Sequence, residues 1–187
     1  MHLFYPMTLV AYLLVANCTS LLSTEAPALS QEEENLIYSD MKNIANEPGT
    51  ASFTPPQGWR IADPKALPKS VKAMVVGKGT HEFPPSINLG TESYRGTLKQ
   101  YLKRIKEINE SRGGRWKDLG TIQTDAGPGN LSQVELKNQW GDIKMMHIIL
   151  LKEGIVYIMT AASLKEEFPR FYKEFFSSLR SLKVNTP

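Results

Sequence analysis

The order of apolar and polar positions divides the chain into three stretches. Residues 3–16 are almost continuously apolar, interrupted only by Pro6 and Thr8. Residues 19–52 carry no sustained apolar stripe, and Pro27, Pro48, Gly49 and a run of Glu punctuate them. Within that stretch 33–45 has the pattern for a helical turn or two, with Leu36, Ile37 and Ile44 toward one side. From Phe53 onward the apolar positions recur with the periods of regular structure.

Strands are expected over 71–76 and 86–91, bounded by Gly77 and Gly79 and by Pro84 and Pro85. A helix follows: Thr97 and Gln100 have the spacing of a capping box, and Leu98, Tyr101, Leu102, Ile105 and Ile108 form one apolar stripe. Gly113-Gly114 ends it. Four more strands are expected over 118–124, 131–138, 143–151 and 155–161. The breaks between them fall at Ala126-Gly127-Pro128-Gly129, Trp140-Gly141-Asp142 and Lys152-Glu153-Gly154. Breaks this short make consecutive strands antiparallel neighbours. The run 145–151 has only His147 as a polar interruption, so that strand is expected to lie centrally with both faces covered. A last helix carries Phe168, Phe171, Tyr172, Phe175, Phe176, Leu179 and Leu182. Ser163 and Glu166 have capping-box spacing there, whereas Pro169 suits a first turn, which predicts a loose start and a regular continuation. Helices before and after a run of strands make an α+β layered architecture: an antiparallel sheet of about six to seven strands sandwiched between helices.

Charge follows the same divisions. Residues 1–18 contain no Lys, Arg, Asp or Glu. Residues 19–52 hold six acidic side chains against Lys42 alone, a net of −5. The remainder keeps 21 of the 22 basic and 13 of the 19 acidic residues, a net of +8. The expected organisation is therefore a leader (1–18), an acidic flexible tether (19–52) and one domain (53–187). A domain of that size buries enough apolar surface to need no disulfide. The single cysteine, Cys18, permits no intramolecular bridge.

The apolar leader is too short to cross a hydrocarbon layer of about 30 Å, which takes roughly 20 residues, but it suits the core of a signal peptide. It ends in Leu14-Val15-Ala16-Asn17-Cys18, which resembles the lipobox of bacterial lipoproteins. The resemblance implies lipidation of Cys18 at sulfur. Asn17 replaces the usual small residue before the cysteine, and the leader has no Lys or Arg, so cleaved secretion and an uncleaved anchor reaching Leu22 stay open. A doubly acylated cysteine holds a protein stably at a membrane; one chain does not.

The body also carries a resemblance. Its opening Phe53, Pro56, Gly58 and Trp59, the strand Ser86-Ile87-Asn88-Leu89 and the helix start Thr97-Leu98-x-x-Tyr101-Leu102 are similar to the PsbP-like and Mog-type fold group. Gly154-x-x-Tyr157-x-x-Thr160 and Phe175-x-x-Ser178-Leu179-x-Ser181 fit in the same order, so the similarity covers about residues 53–184. It implies an antiparallel sheet between helical layers and non-catalytic roles: an extrinsic photosystem subunit, a nuclear Ran-binding protein, or DcrB-type envelope lipoproteins. The export signal favours the last.

Candidate chemistry is sparse. His81-Glu82 lies in a Pro/Gly-rich loop, but no third ligand has metal-site spacing, which makes it a solvated loop. His147 in its apolar strand reads as a core or cross-strand histidine hydrogen-bonded to a neighbour. Lys99, Lys103, Arg104, Lys106, Arg112, Arg115 and Lys117 form a basic cluster in which Glu107, Glu110 and Asp118 are interleaved. Export argues against nucleic acid, leaving acidic proteins, anionic headgroups or water as its surroundings. Trp140, beside Gly141-Asp142 at a hairpin tip, either anchors a partner or folds back over the sheet. Nucleophile elbows, phosphate loops and zinc-helix motifs are absent from the sequence, and its one thiol lies in the leader.

The expectation is a non-catalytic envelope lipoprotein facing the periplasm, with no cofactor and no metal. It would act as an accessory or scaffold that binds another envelope protein. Partner contacts are expected at Trp140, Asp142, Lys99, Lys103 and Lys106, and the membrane is reached through Cys18. The alternative is a periplasmic or secreted carrier of a small apolar ligand or lipid.

Overall fold

The computed structural model describes residues 50–185; the expected leader, Cys18 and nearly all of the tether lie outside them. In chain order the elements are β1 (Ala51–Ser52), β2 (Arg60–Ile61), a 3-10 turn (Pro64–Ala66), β3 (Val71–Val76), β4 (Ser86–Ser93), α1 (Leu98–Ser111), β5 (Arg115–Thr124), β6 (Gly127–Asn138), β7 (Gly141–Lys152), β8 (Ile155–Leu164), α2 (Phe168–Arg180) and β9 (Lys183–Val184). Seven strands form one antiparallel sheet in the order β2-β3-β4-β8-β7-β6-β5, and β1 pairs with β9 in a separate two-stranded ribbon. This is the α+β sandwich expected from the sequence, with one helix on each face.

Alternation along β7 assigns the faces. Met146, Ile148 and Leu150 point to the α2 side, where Phe168, Phe171, Phe175, Leu179 and Leu182 are buried with them. Trp59 packs edge-on against Phe171 and Phe175 at 6.0 and 5.9 Å, which ties the opening segment to α2. Ile143, Met145, His147 and Ile149 point to the opposite side. There α1 covers one end through Tyr101 and Ile105, while Phe83 and Trp140 cover the other.

The capping box of α1 is formed: Gln100 N donates to Thr97 Oγ1 at 3.3 Å and Thr97 N donates to Gln100 Oε1 at 2.9 Å. Such a cap contributes about 1 kcal/mol. Tyr101 fixes the helix to β4 by donating its hydroxyl to Glu92 at 2.9 Å. Burial, then the Glu92 charge and this bond, push the Tyr101 phenol far up. Gly113, at φ 79°, turns the chain out of the helix.

Several expectations are corrected. Gly127, Pro128 and Gly129 belong to β6 rather than to a loop, since the turn is only Asp125–Ala126 and Gln123 pairs with Pro128. The missing Pro128 N–H costs little there, because pairing of β6 with β7 starts at Asn130. The capping box at Ser163 and Glu166 does not form: Ser163 lies inside β8 and donates to Leu164 O, while Glu167 is the cap residue. Pro169 occupies the first turn of α2 as expected. Tyr172 leaves the buried stripe and is 45% exposed.

Candidate functional site

Lys99, Lys103 and Lys106 stand at i, i+4 and i+7 on α1, so helical geometry puts them on one face. The structure adds what that face looks onto. With Leu98 and Leu102 from the same helix and Trp116, Asp118, Thr121 and Asn130 from β5 and β6, the three lysines line a groove of about 480 Å³. Leu98, Leu102 and Trp116 are partly buried against the neighbouring core, so they form an apolar floor beneath the ammonium groups.

The groove's electrostatics are weakly committed. Lys103 pairs with Glu107 and Lys106 with Glu110, each at 3.8 Å and each well exposed. Exposed i, i+4 pairs of this kind are worth about 0.3–0.5 kcal/mol, so an incoming carboxylate displaces them easily. Asp118 is already engaged: its Oδ1 accepts from Gly120 N at 2.8 Å and from Asn130 Nδ2 at 3.0 Å. That leaves Asn130 Oδ1 as a buried acceptor with no protein partner, on a residue only 8% exposed in the groove wall.

Behind the wall a row of polar residues crosses the sheet. Strand register aligns Asp118 with Ser132, Ser132 with His147, His147 with Thr160, and Thr160 with Asn88. His147 Nδ1 and Thr160 Oγ1 are 2.9 Å apart, the cross-strand bond expected for this histidine. The Trp116 ring lies flat over the imidazole at 6.0 Å and 9°. Ser132 Oγ and His147 Nε2 have no protein partner. Burial lowers the His147 pKa to about 4, which keeps the ring neutral near pH 7. A serine and a neutral histidine on facing positions supply the parts of a nucleophilic dyad. With exposures of 0 and 2% under Trp116, however, they meet no substrate in this conformation.

The other expected contacts are not brought to this groove. Trp140 folds back and stacks on Phe83 at 5.8 Å and 28°, leaving its ring half-buried. Asp142 is exposed at the same end of the sheet, lining a separate polar cleft of about 340 Å³ with Arg115, Glu135 and Lys165. Glu135 is the hub of that cleft, accepting from Arg115 at 2.6 Å and Lys165 at 2.8 Å. The Lys165 bond, with further help from the charges of Lys165, Arg115 and Lys144, outweighs burial and lowers its pKa. His81 meets Glu166 at 3.2 Å rather than Glu82. Among the described residues no group of three or more His, Cys, Asp or Glu side chains is arranged to hold a metal.

No protein-family model matches the chain, and no curated protein sequence is significantly similar to it. Solved structures do match. LpqN of Mycobacterium tuberculosis, described as involved in cell envelope biogenesis, superposes with a TM-score of 0.52 at 14% identity, covering 75% of this chain and 87% of that one. The Saccharomyces cerevisiae Ran-binding protein Mog1p gives 0.52 at 15% identity over 74% of this chain and 92% of its own. The cyanobacterial PsbP of Synechocystis gives 0.45 at 10% identity over 74% and 94%. The chain thus shares the fold of LpqN and Mog1p, the Mog-type fold expected from its motifs.

Proposed function

We propose that this chain is a non-catalytic accessory protein of the bacterial cell envelope, lipid-anchored at Cys18 and facing the periplasm. Its domain holds an acidic, partly apolar segment of another envelope protein in the lysine groove between α1 and β5. One observation carries the reading: three exposed lysines on one helix face line a groove floored by Leu98, Leu102 and Trp116. Mog1p's description as a Ran-binding protein supports a protein-binding role on this fold, and LpqN's as involved in cell envelope biogenesis supports the envelope setting. Among the described residues no helix is long and apolar enough to cross a membrane; what supports the anchor is the lipobox-like run Leu14-Val15-Ala16-Asn17-Cys18.

A photo-crosslinking amino acid at Thr121, in the groove wall, tests the docking surface in intact envelopes. Lys99→Glu/Lys103→Glu/Lys106→Glu is expected to reduce the crosslinked partner band at least tenfold while the domain stays folded, its thermal midpoint lowered by only a few degrees because two exposed pairs are lost and like charges at i, i+4 replace them. An undiminished band would remove the groove as the contact surface. The anchor is tested separately. Cells fed a clickable palmitate analogue should label the natural chain and not Cys18→Ser. Label on neither, with a mature N-terminus beyond Cys18, would make the protein a secreted one.

A further inference from the structure

We propose that the groove's resident occupant, when no partner is bound, is the chain's own acidic segment, Glu32-Glu33-Glu34 followed by Leu36-Ile37-Tyr38. The inference rests on reading the groove as a docking surface and adds its regulation. Composition matches the two: three glutamates for three lysines, then three apolar side chains for a floor made of Leu98, Leu102 and Trp116. Asp118 opposes negative charge on the far wall and so directs the glutamates toward α1. The two i, i+4 pairs on the helix are the weak contacts that the segment exchanges for its own.

Reach follows from where the described chain begins. Asn185 N donates to Thr50 O at 3.0 Å, and Ser52 pairs with Lys183. Lys183 in turn lies 4.0 Å from Asp125 in the β5–β6 turn, and Asp125 N donates to Arg180 O at 3.0 Å. The start of the domain therefore sits beside that turn, at the same end of the sheet as Thr121 and Asn130 of the groove. From Asp125 back to Thr121 is about 13 Å at roughly 3.3 Å per strand residue. The eleven residues 39–49 span about 36 Å when extended, which is enough to round the sheet edge. Tethering holds the segment at an effective concentration of about millimolar, so a weak site suffices. Docking also leaves only residues 19–31 between Cys18 and the groove, a leash of at most about 45 Å in place of about 105 Å for 19–49. A partner that displaces the segment lengthens the leash as it binds.

The test is zero-length carbodiimide coupling of the full chain, using an equal mixture of ¹⁴N- and ¹⁵N-labelled protein at low ionic strength, read by mass spectrometry. Expected are same-label links from Glu32, Glu33 or Glu34 to Lys99, Lys103 or Lys106. They should fall several-fold in about 0.5 M salt, where the screening length is only about 4 Å. No such links, links only to Lys183, whose backbone pairs with Ser52, or mixed-label links that indicate a second copy would each overturn self-docking. A second readout separates this from the partner reading. Glu32→Gln/Glu33→Gln/Glu34→Gln should raise partner crosslinking at Thr121 several-fold. If that variant changes nothing while the triple lysine reversal still abolishes capture, self-docking fails and the docking surface stands. Lysine-dependent binding of the Gln variant and the natural chain alike to anionic phospholipid vesicles, without the links, would overturn it in favour of a membrane contact.

Discussion

Phe175→Ala should lower the unfolding free energy by about 3–5 kcal/mol in urea titrations, the range for deleting a fully buried aromatic side chain. Phe175 is 0% exposed on the inner face of α2, in ring contact with Trp59, Phe168 and Phe171 at 5.9, 5.2 and 6.0 Å. Such aromatic pairs add about 0.5–1.5 kcal/mol each beyond area burial. Truncation therefore removes apolar burial, several ring contacts, and the surface on which Trp59 holds the opening segment. Domains of this size are stable by only about 5–15 kcal/mol, so the variant should fall near the edge of folding at 37 °C. Tyr172→Ala, one helical position away from the stripe, 45% exposed and in a single stacked contact with Phe176 at 5.8 Å, is the control and should cost about 1 kcal/mol, well below Phe175→Ala. A Phe175→Ala cost below about 1 kcal/mol would mean that α2 does not close the core.

The contrast between Phe175 and Tyr172 marks what periodicity conveys and what it does not. Both fit a broad apolar stripe, and only packing against a particular sheet decides which edge of the stripe is covered. Local signals were legible: the Thr97–Gln100 box, the strand 71–76 and the interior place of β7, next to the middle strand β8, all appear as the sequence pattern predicts. The β6 boundary was not, because Gly127-Pro128-Gly129 has loop composition, yet pairing with β5 draws it into the sheet. The ribbon of β1 with β9 joins residues more than 130 positions apart and leaves no periodic trace in two-residue strands.

The groove shows the same division. Its helical wall was legible, since lysines at i, i+4 and i+7 must share a face. Its strand wall was not. Trp116 precedes the expected start of β5 at 118, and a register shift between Asp118 and Gly120 sets which β5 side chains face α1. The polar row was visible only in part. His147 interrupts an apolar run, but Ser132 and Thr160 are ordinary strand residues until register aligns them with it. The alternation at 116 and 118, continued across the Gly127–Gly129 segment, is the signal that would have extended the hairpin and found the groove floor.

His147 gives the second large effect, a pH dependence of stability. Its folded pKa is lowered from 6.5 to about 4 by burial, so the native state resists a proton that the unfolded chain accepts. Stability is therefore full above pH 6.5 and declines as pH falls toward 4. Linkage gives a loss of about 2 kcal/mol between pH 7 and 5, and about 3 by pH 4. Glu135 acts in the same direction but lower: its pKa is held below the carboxylate value of 4.5, so its contribution is lost only in more acid solution. The slope between pH 7 and 5 consequently belongs mainly to the imidazole. Urea midpoints across this range should fall in the natural chain and stay nearly level in His147→Gln, which keeps polarity without titrating. An equal slope in both would show that other groups carry it; a flat natural chain would show that His147 is not sealed. Part of the seal is Trp116, whose ring lies parallel to the imidazole and offset from it on the groove side. Trp116→Ala should admit water to Nε2, raise the pKa and flatten the profile. The same side chain is the groove floor. If the groove is the docking surface proposed above, an occupant packed on Trp116 should flatten this pH profile less than Trp116→Ala does and leave the His147 pKa low.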